Sequence, residues 1–128
     1  MTSMRGFLTL GLAICLSAVA VNAAPGDMSV ATFLAKAEKL QSKGMMALMS
    51  SDIRVLKAEA DAAGTKYRSM IKTDAANNRP PHSCPPAKAT FNSDDLMKHL
   101  KGYTITERQK TNITTATADL MKKRYPCK

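Results

Sequence analysis

Tryptophan is absent from this 128-residue sequence, and tyrosine and phenylalanine occur three times each. So few aromatic faces leave little to stack on bases or sugars, which weakens a nucleic-acid or glycan-binding reading. Histidine occurs only at His82 and His99, and neither falls in a triad or a zinc-ligand spacing. Neither a glycine-rich phosphate loop nor an exposed-nucleophile motif is present. Runs with a period of two, the mark of half-buried strands, are missing as well. Acidic side chains are scarce, with 10 Asp and Glu against 19 Lys and Arg and a formal charge of +9. These absences leave a basic, helical chain that is expected to bind rather than catalyse, and to need no cofactor.

Only one long apolar run exists, over 6–21, behind a short segment carrying Arg5. Val21, Asn22 and Ala23 supply small residues at its exit, so 1–23 reads as a secretory signal peptide cut after Ala23. An uncleaved membrane anchor is the alternative, since the run is just long enough to span. Cys15 lies within this run and follows Ile14, where a lipid-modified cysteine needs Gly or Ala. The mature chain, 24–128, is expected to be a single domain. It keeps two cysteines, Cys84 and Cys127. Export with an even cysteine count is the setting in which a disulfide forms. Closing a loop of that span stabilises by up to ~4 kcal/mol in the chain-entropy model. The alternative is a pair of free thiols, for which there is no Cys-x-x-Cys spacing and no activating neighbour. Outside the cytoplasm, the positive balance suits an anionic envelope surface or an acidic protein partner. The basic residues are spread along the chain, so a solvated surface explains most of them.

Residues 24–27 read as a short loose leader. Ser29 is placed to cap a helix over 29–43, with Val30, Phe33, Leu34, Ala37 and Leu40 on one stripe. Gly44 ends it, and 45–49 form a short apolar link. Ser50 or Ser51 caps a long helix over 52–76. Its inward seam is Ile53, Leu56, Ala60, Ala63, Tyr67 and Met70, and Asp74 ends it; a homodimer through this seam is one expectation. Gly64 is an interior cost of ~1 kcal/mol, which points to a close helix contact. Four of the six prolines fall within 80–86, so 77–92 is a Pro-rich loop. A helix over 93–101 starts at Ser93, Asp94 and Asp95, buries Leu96 and Leu100, and stops at Gly102. Thr106 to Gln109 suggest a capping box that opens a last helix over 107–124, with Ile113, Ala116, Leu120 and Met121 inward. The fold class is all-α: a small bundle of four main helices with one disulfide.

Two metal readings arise from composition. Met45, Met46 and Met49 offer thioethers to Cu(I), as ligands that soft metals select. Methionine also fills irregular cores and adaptable binding surfaces, the plainer explanation. His82 and Cys84 form a His-x-Cys pair that vanishes as a site once Cys84 is bonded. His99 reads as a boundary residue, and helix capping accounts for Asp94 and Asp95.

Cys84-Pro85-Pro86, Leu96 and Leu100, the stretch from Ile113 to Leu120, and the ending Tyr125-Pro126-Cys127 together resemble the Rap/Tai-type immunity proteins. The resemblance covers roughly 82–127. It implies a small exported helical protein of a Gram-negative bacterium, located in the periplasm or secreted, with Cys84 and Cys127 disulfide-bonded. It also implies a protein partner, a type VI-secreted peptidoglycan amidase, neutralised by blocking its active site. Two other readings compete: a periplasmic stress or chaperone-like protein with apolar seams for clients, and a Cu(I)-binding protein using the methionines and His82.

Overall fold

In the computed structural model, which describes residues 23–128, Ser29 caps the first helix by accepting from the Thr32 backbone N–H. That helix, α1 (Val30–Ser42), buries all five apolar stripe positions predicted for it. Gly44 takes a left-handed φ of 55° just past the end of α1, where a side chain would be strained. The chain then makes a short 3-10 helix, Gly44–Met49, before Ser50 caps α2 (Ser51–Ala76). After the loop come α3 (Ser93–Lys101), α4 (Ile105–Lys110) and α5 (Ile113–Arg124). No strand occurs among the described residues, and the predicted all-α class with a Cys84–Cys127 disulfide is the observed one. The signal segment predicted over 1–23 lies outside the described residues, apart from Ala23. No helix among the described residues is long and apolar enough to cross a membrane.

One core joins α1, α2, α3 and α5 around Val30, Leu34, Leu100 and Ile113, each at most 3 % exposed. A satellite cluster of Tyr67, Ala118 and Met121 extends it toward the Pro-rich loop through Ala89 and Phe91. Of the α2 seam, Leu56, Ala63 and Tyr67 are buried within the chain, while Ile53, Ala60 and Met70 stay half-buried. Asp74 ends the seam by pairing with Arg79 at 3.0 Å.

Three expectations are corrected. The predicted helix over 107–124 is two helices, because Thr111 and Asn112 turn extended between α4 and α5. The capping box belongs to Thr104 and Glu107, three residues apart as that motif requires, and opens α4 at Ile105. Nor is the leader loose. Val30 donates to the Thr111 carbonyl at 2.9 Å and Ile113 to the Met28 carbonyl at 2.9 Å, around an antiparallel bridge between Ser29 and Asn112. The Gly26 carbonyl accepts from both the backbone N–H (3.0 Å) and the hydroxyl (2.8 Å) of Thr114. The extended break in the last helix is therefore the seat of the leader. The same contacts satisfy the backbone groups that the interrupted helix leaves without partners.

Glu59 completes this seat. Its carboxylate, 6 % exposed, accepts from the Gly26 N–H at 2.6 Å and from the Met28 N–H at 3.3 Å. Gly26 has φ of 95°, and a Cβ there would stand 2.8 Å from the Thr114 hydroxyl. Lys66 and Asp27 close the outer edge at 2.8 Å. Against the usual rule that buried acids are paired with a cation, Glu59 is held by backbone donors.

Candidate functional site

The Pro-rich loop is fixed at three points. Cys84 and Cys127 are bonded across 43 residues with their Cα atoms 4.9 Å apart, and both are exposed. The Cys84 N–H donates to the Tyr125 carbonyl at 2.8 Å. Inside the staple, the hydroxyls of Ser83 and Tyr67 share a hydrogen bond, both groups being buried. This last contact satisfies two polar atoms that would otherwise lie dry against the satellite cluster.

So held, most of residues 85–93 line an open cleft of about 810 Å³ together with residues of α2 and the first turn of α3. Phe33, Leu56, Ile71, Phe91, Leu96 and Met121 make its lining mostly apolar. Charged side chains stand on the α2 rim. Lys57 and Asp61 neutralise one another at 2.9 Å, whereas Arg68 and Lys72 have no ion-pair partner among the described residues. Gly64 faces this rim, not another helix. A Cβ there would meet only the Arg68 guanidinium, at 3.7 Å, so the expected close helix contact is replaced by an arginine lying back along α2.

Immediately before α2 the 3-10 helix carries a bare apolar tip. Met45, Met46, Leu48 and Met49 are 82 %, 69 %, 68 % and 84 % exposed. Its base is closed by Lys36 and Asp52 at 3.1 Å. The hydrogen bond from Lys36 holds the Asp52 carboxyl below the usual range against partial burial, helped by the charges of Lys36, Lys39 and Lys43. The tip is thus a cluster of thioethers and leucine inside a basic collar.

Of the predicted metal candidates, the three methionines lie together and His82 lies apart from them. Met45, Met46 and Met49 sit on the tip, near the Ser50 cap of α2. His82 lies beside Ser83, which bonds Tyr67, seventeen residues further along α2, or about 25 Å at 1.5 Å per residue. Cys84 is committed to the disulfide, so the His82-x-Cys84 pair offers no thiolate. The His82 Nδ1 is buried without a partner in this structure. Among the described residues no group of three or more His, Cys, Asp and Glu side chains is placed to hold a metal ion.

Asp95 and Asn92 cap α3 reciprocally, as the capping reading of Asp94 and Asp95 requires, and the true N-cap is Asn92. The Asn92 backbone N–H and then Arg124, at 2.8 Å, hold the Asp95 carboxyl low. His99 is more than a boundary residue. Its Nε2 lies 3.2 Å from the Tyr103 hydroxyl, which donates to Asp119 at 2.7 Å, and the two rings meet edge to face. Burial and then the Lys123 charge lower the His99 pKa, and burial followed by the Asp119 carboxylate raises that of Tyr103. Neutral imidazole, phenol and carboxylate together brace α3 against α5. Comparison with family models, with curated proteins and with solved structures returned no match for this chain.

Proposed function

We propose that this chain is an exported, non-enzymatic binding module of the immunity-protein sort, which neutralises a secreted cell-wall amidase by occupying its active-site cleft. The observation that carries the reading is the tip: four large apolar side chains, at least 68 % exposed, on one short 3-10 helix. Single exposed apolar residues are ordinary, but a cluster this bare marks an interaction site. A convex apolar projection suits a concave partner, and flexible methionines adapt to its walls. The Lys39 and Lys43 collar favours a partner with acidic walls and speeds encounter. A disulfide supports an oxidising compartment, hence export. The stitched contacts begin at Ala24, whose carbonyl accepts from Asp27, so cleavage after Ala23 leaves them whole.

The test is peptidoglycan turnover by a secreted amidase of the same bacterium. The protein should abolish turnover at a stoichiometric ratio. A variant with Met45, Met46, Leu48 and Met49 all changed to Ser should melt at the same temperature and inhibit at least about tenfold more weakly, roughly 1.4 kcal/mol of binding. Full amidase activity in excess protein sinks the proposal. The same exposed side chains favour a second reading, a stress protein that covers unfolding clients. It is separated by client aggregation at low pH, which the native protein should suppress and the tip variant should not.

A further inference from the structure

The cleft between α2 and the stapled loop is lined along α2 from Ile53, four residues after the tip, to Lys72, and plays no part in the immunity reading. Its lining is apolar, its volume of about 810 Å³ falls within the range of small-molecule sites, and its charge is distributed unevenly along its length. Near Ile53 and Leu56 the only rim charges are Lys57 and Asp61, which cancel. Further along α2, Arg68 and Lys72 stand one helical turn apart, neither paired with a carboxylate among the described residues. From Arg68 back to Ile53 is fifteen residues of α2, about 22 Å. A single acyl chain fills one leaflet of a bilayer core, about 15 Å. We infer that the cleft binds a single-chain amphiphile with an anionic head, a long-chain fatty acid in chemical class. Its carboxylate sits between Arg68 and Lys72, and its chain, about 15 Å long, runs along α2 past Ala60, within the length of the cleft.

The geometry disfavours an extended peptide. An extended segment laid between apolar walls leaves its backbone N–H and C=O groups without partners. An acyl chain has no polar groups to satisfy except at its head, which is where the unpaired cations are. Arginine supplies a planar fork for a carboxylate and lysine a mobile second charge.

The experiment uses the exported, oxidised protein and a fluorescent polyene fatty acid whose emission rises in an apolar site. Emission should rise on mixing, and palmitate should reverse it where the alcohol of equal chain length does so at least about tenfold less well. The charge-reversed double variant Arg68→Glu with Lys72→Glu, both on the surface, should lose at least about tenfold in affinity for the acid and leave that for the alcohol unchanged. Ala60→Phe, which fills the cleft midway, should abolish both, with the far-ultraviolet spectrum and melting temperature confirming the fold. The tip variant should bind as the native protein does, so that failure of this inference and of the immunity reading are separable. No rise in emission overturns the inference, as does equal displacement by acid and alcohol. Displacement by an acidic amphipathic peptide and not by palmitate overturns it in favour of protein docking.

Discussion

Replacing Glu59 by alanine should loosen the N-terminal leader and cost much of the stability of the fold. The substitution leaves the buried Gly26 N–H and the part-buried Met28 N–H without an acceptor. Each such orphan costs about 1–3 kcal/mol, so the loss is roughly 2–5 kcal/mol, partly offset because a carboxylate no longer has to be desolvated. Against a net stability of about 5–15 kcal/mol for a domain of this size, that is a large fraction. Glu59→Gln keeps one acceptor oxygen and should cost less, about 1–2 kcal/mol. Urea unfolding of the oxidised protein measures these values, and amide exchange at Gly26 and Met28 locates them. A chain shortened to begin at Ser29 closes the cycle: with no leader to anchor, Glu59→Ala should cost less than about 0.5 kcal/mol there. An equal cost in both backgrounds, or protected Gly26 and Met28 amides in the Glu59→Ala protein, would refute the role assigned to this carboxylate.

The two glycines should respond with opposite signs. Gly26→Ala forces a side chain into φ of 95° and against Thr114, and should destabilise by about 2–4 kcal/mol, whereas Gly64→Ala meets only ordinary contact with Arg68 and should stabilise α2 by about 0.5–1 kcal/mol. Cys127→Ser should lower stability by up to about 4 kcal/mol, with reductant having no further effect on the variant. Because the same bond holds the loop wall, the variant should also lose binding in the cleft, and equal melting of the two proteins refutes both statements. For acid sensitivity, burial lowers the His99 pKa below its ordinary 6.5, so the unfolded chain takes up the proton first. Stability is full above pH 6.5 and falls as pH drops through that value, and His99→Gln should flatten this limb. The depressed carboxyls of Asp52, Asp95 and Glu107 add a second loss only below about pH 4.5, read from the same pH series.

What was legible in the sequence was local or carried by spacing. The α1 stripe, Leu96 and Leu100, and the four apolar positions of α5 could be read because helical periodicity needs no knowledge of the partner. Ser29 as a cap and Gly44 as a terminator are likewise events within one turn. What was not legible depends on residues far apart in the chain. The break at Thr111 and Asn112 exists because the leader pairs there, more than eighty residues away. Glu59 could not be recognised as buried, since a glutamate amid Lys57 and Asp61 reads as solvated surface. One signal was available: Glu59 lies three residues after Leu56 and four before Ala63, on the seam's own stripe. The Thr104-x-x-Glu107 spacing was also available, and would have placed the start of α4 correctly. Tyr67 and Ser83 gave no sign of each other, because a loop hydroxyl finds its partner only once the loop is folded.

The distribution of these long-range contacts bears on where function lies. Helix α5 is fastened at both ends, by the leader and Glu59 at its N-terminus and by the stapled loop, through Tyr125, at its C-terminus. Both fastenings are polar or covalent, specific in geometry, and costly to open, so the segments they tie should exchange near the global rate. Two regions are left outside this frame. The tip over Gly44–Met49 has no buried residue at all, and the mouth of the cleft is bounded by side chains of α2 and by loop residues beyond the staple. Segments that must rearrange around a partner are drawn from the weakly held end of a structure, while their supports are drawn from the strongly held end. On the proposed reading, a rigid hub carries one bare apolar projection and one apolar cleft under a basic rim, each a surface for contact. On this account, changes in α5 should alter stability and leave recognition intact, and changes in the tip or the rim should do the reverse.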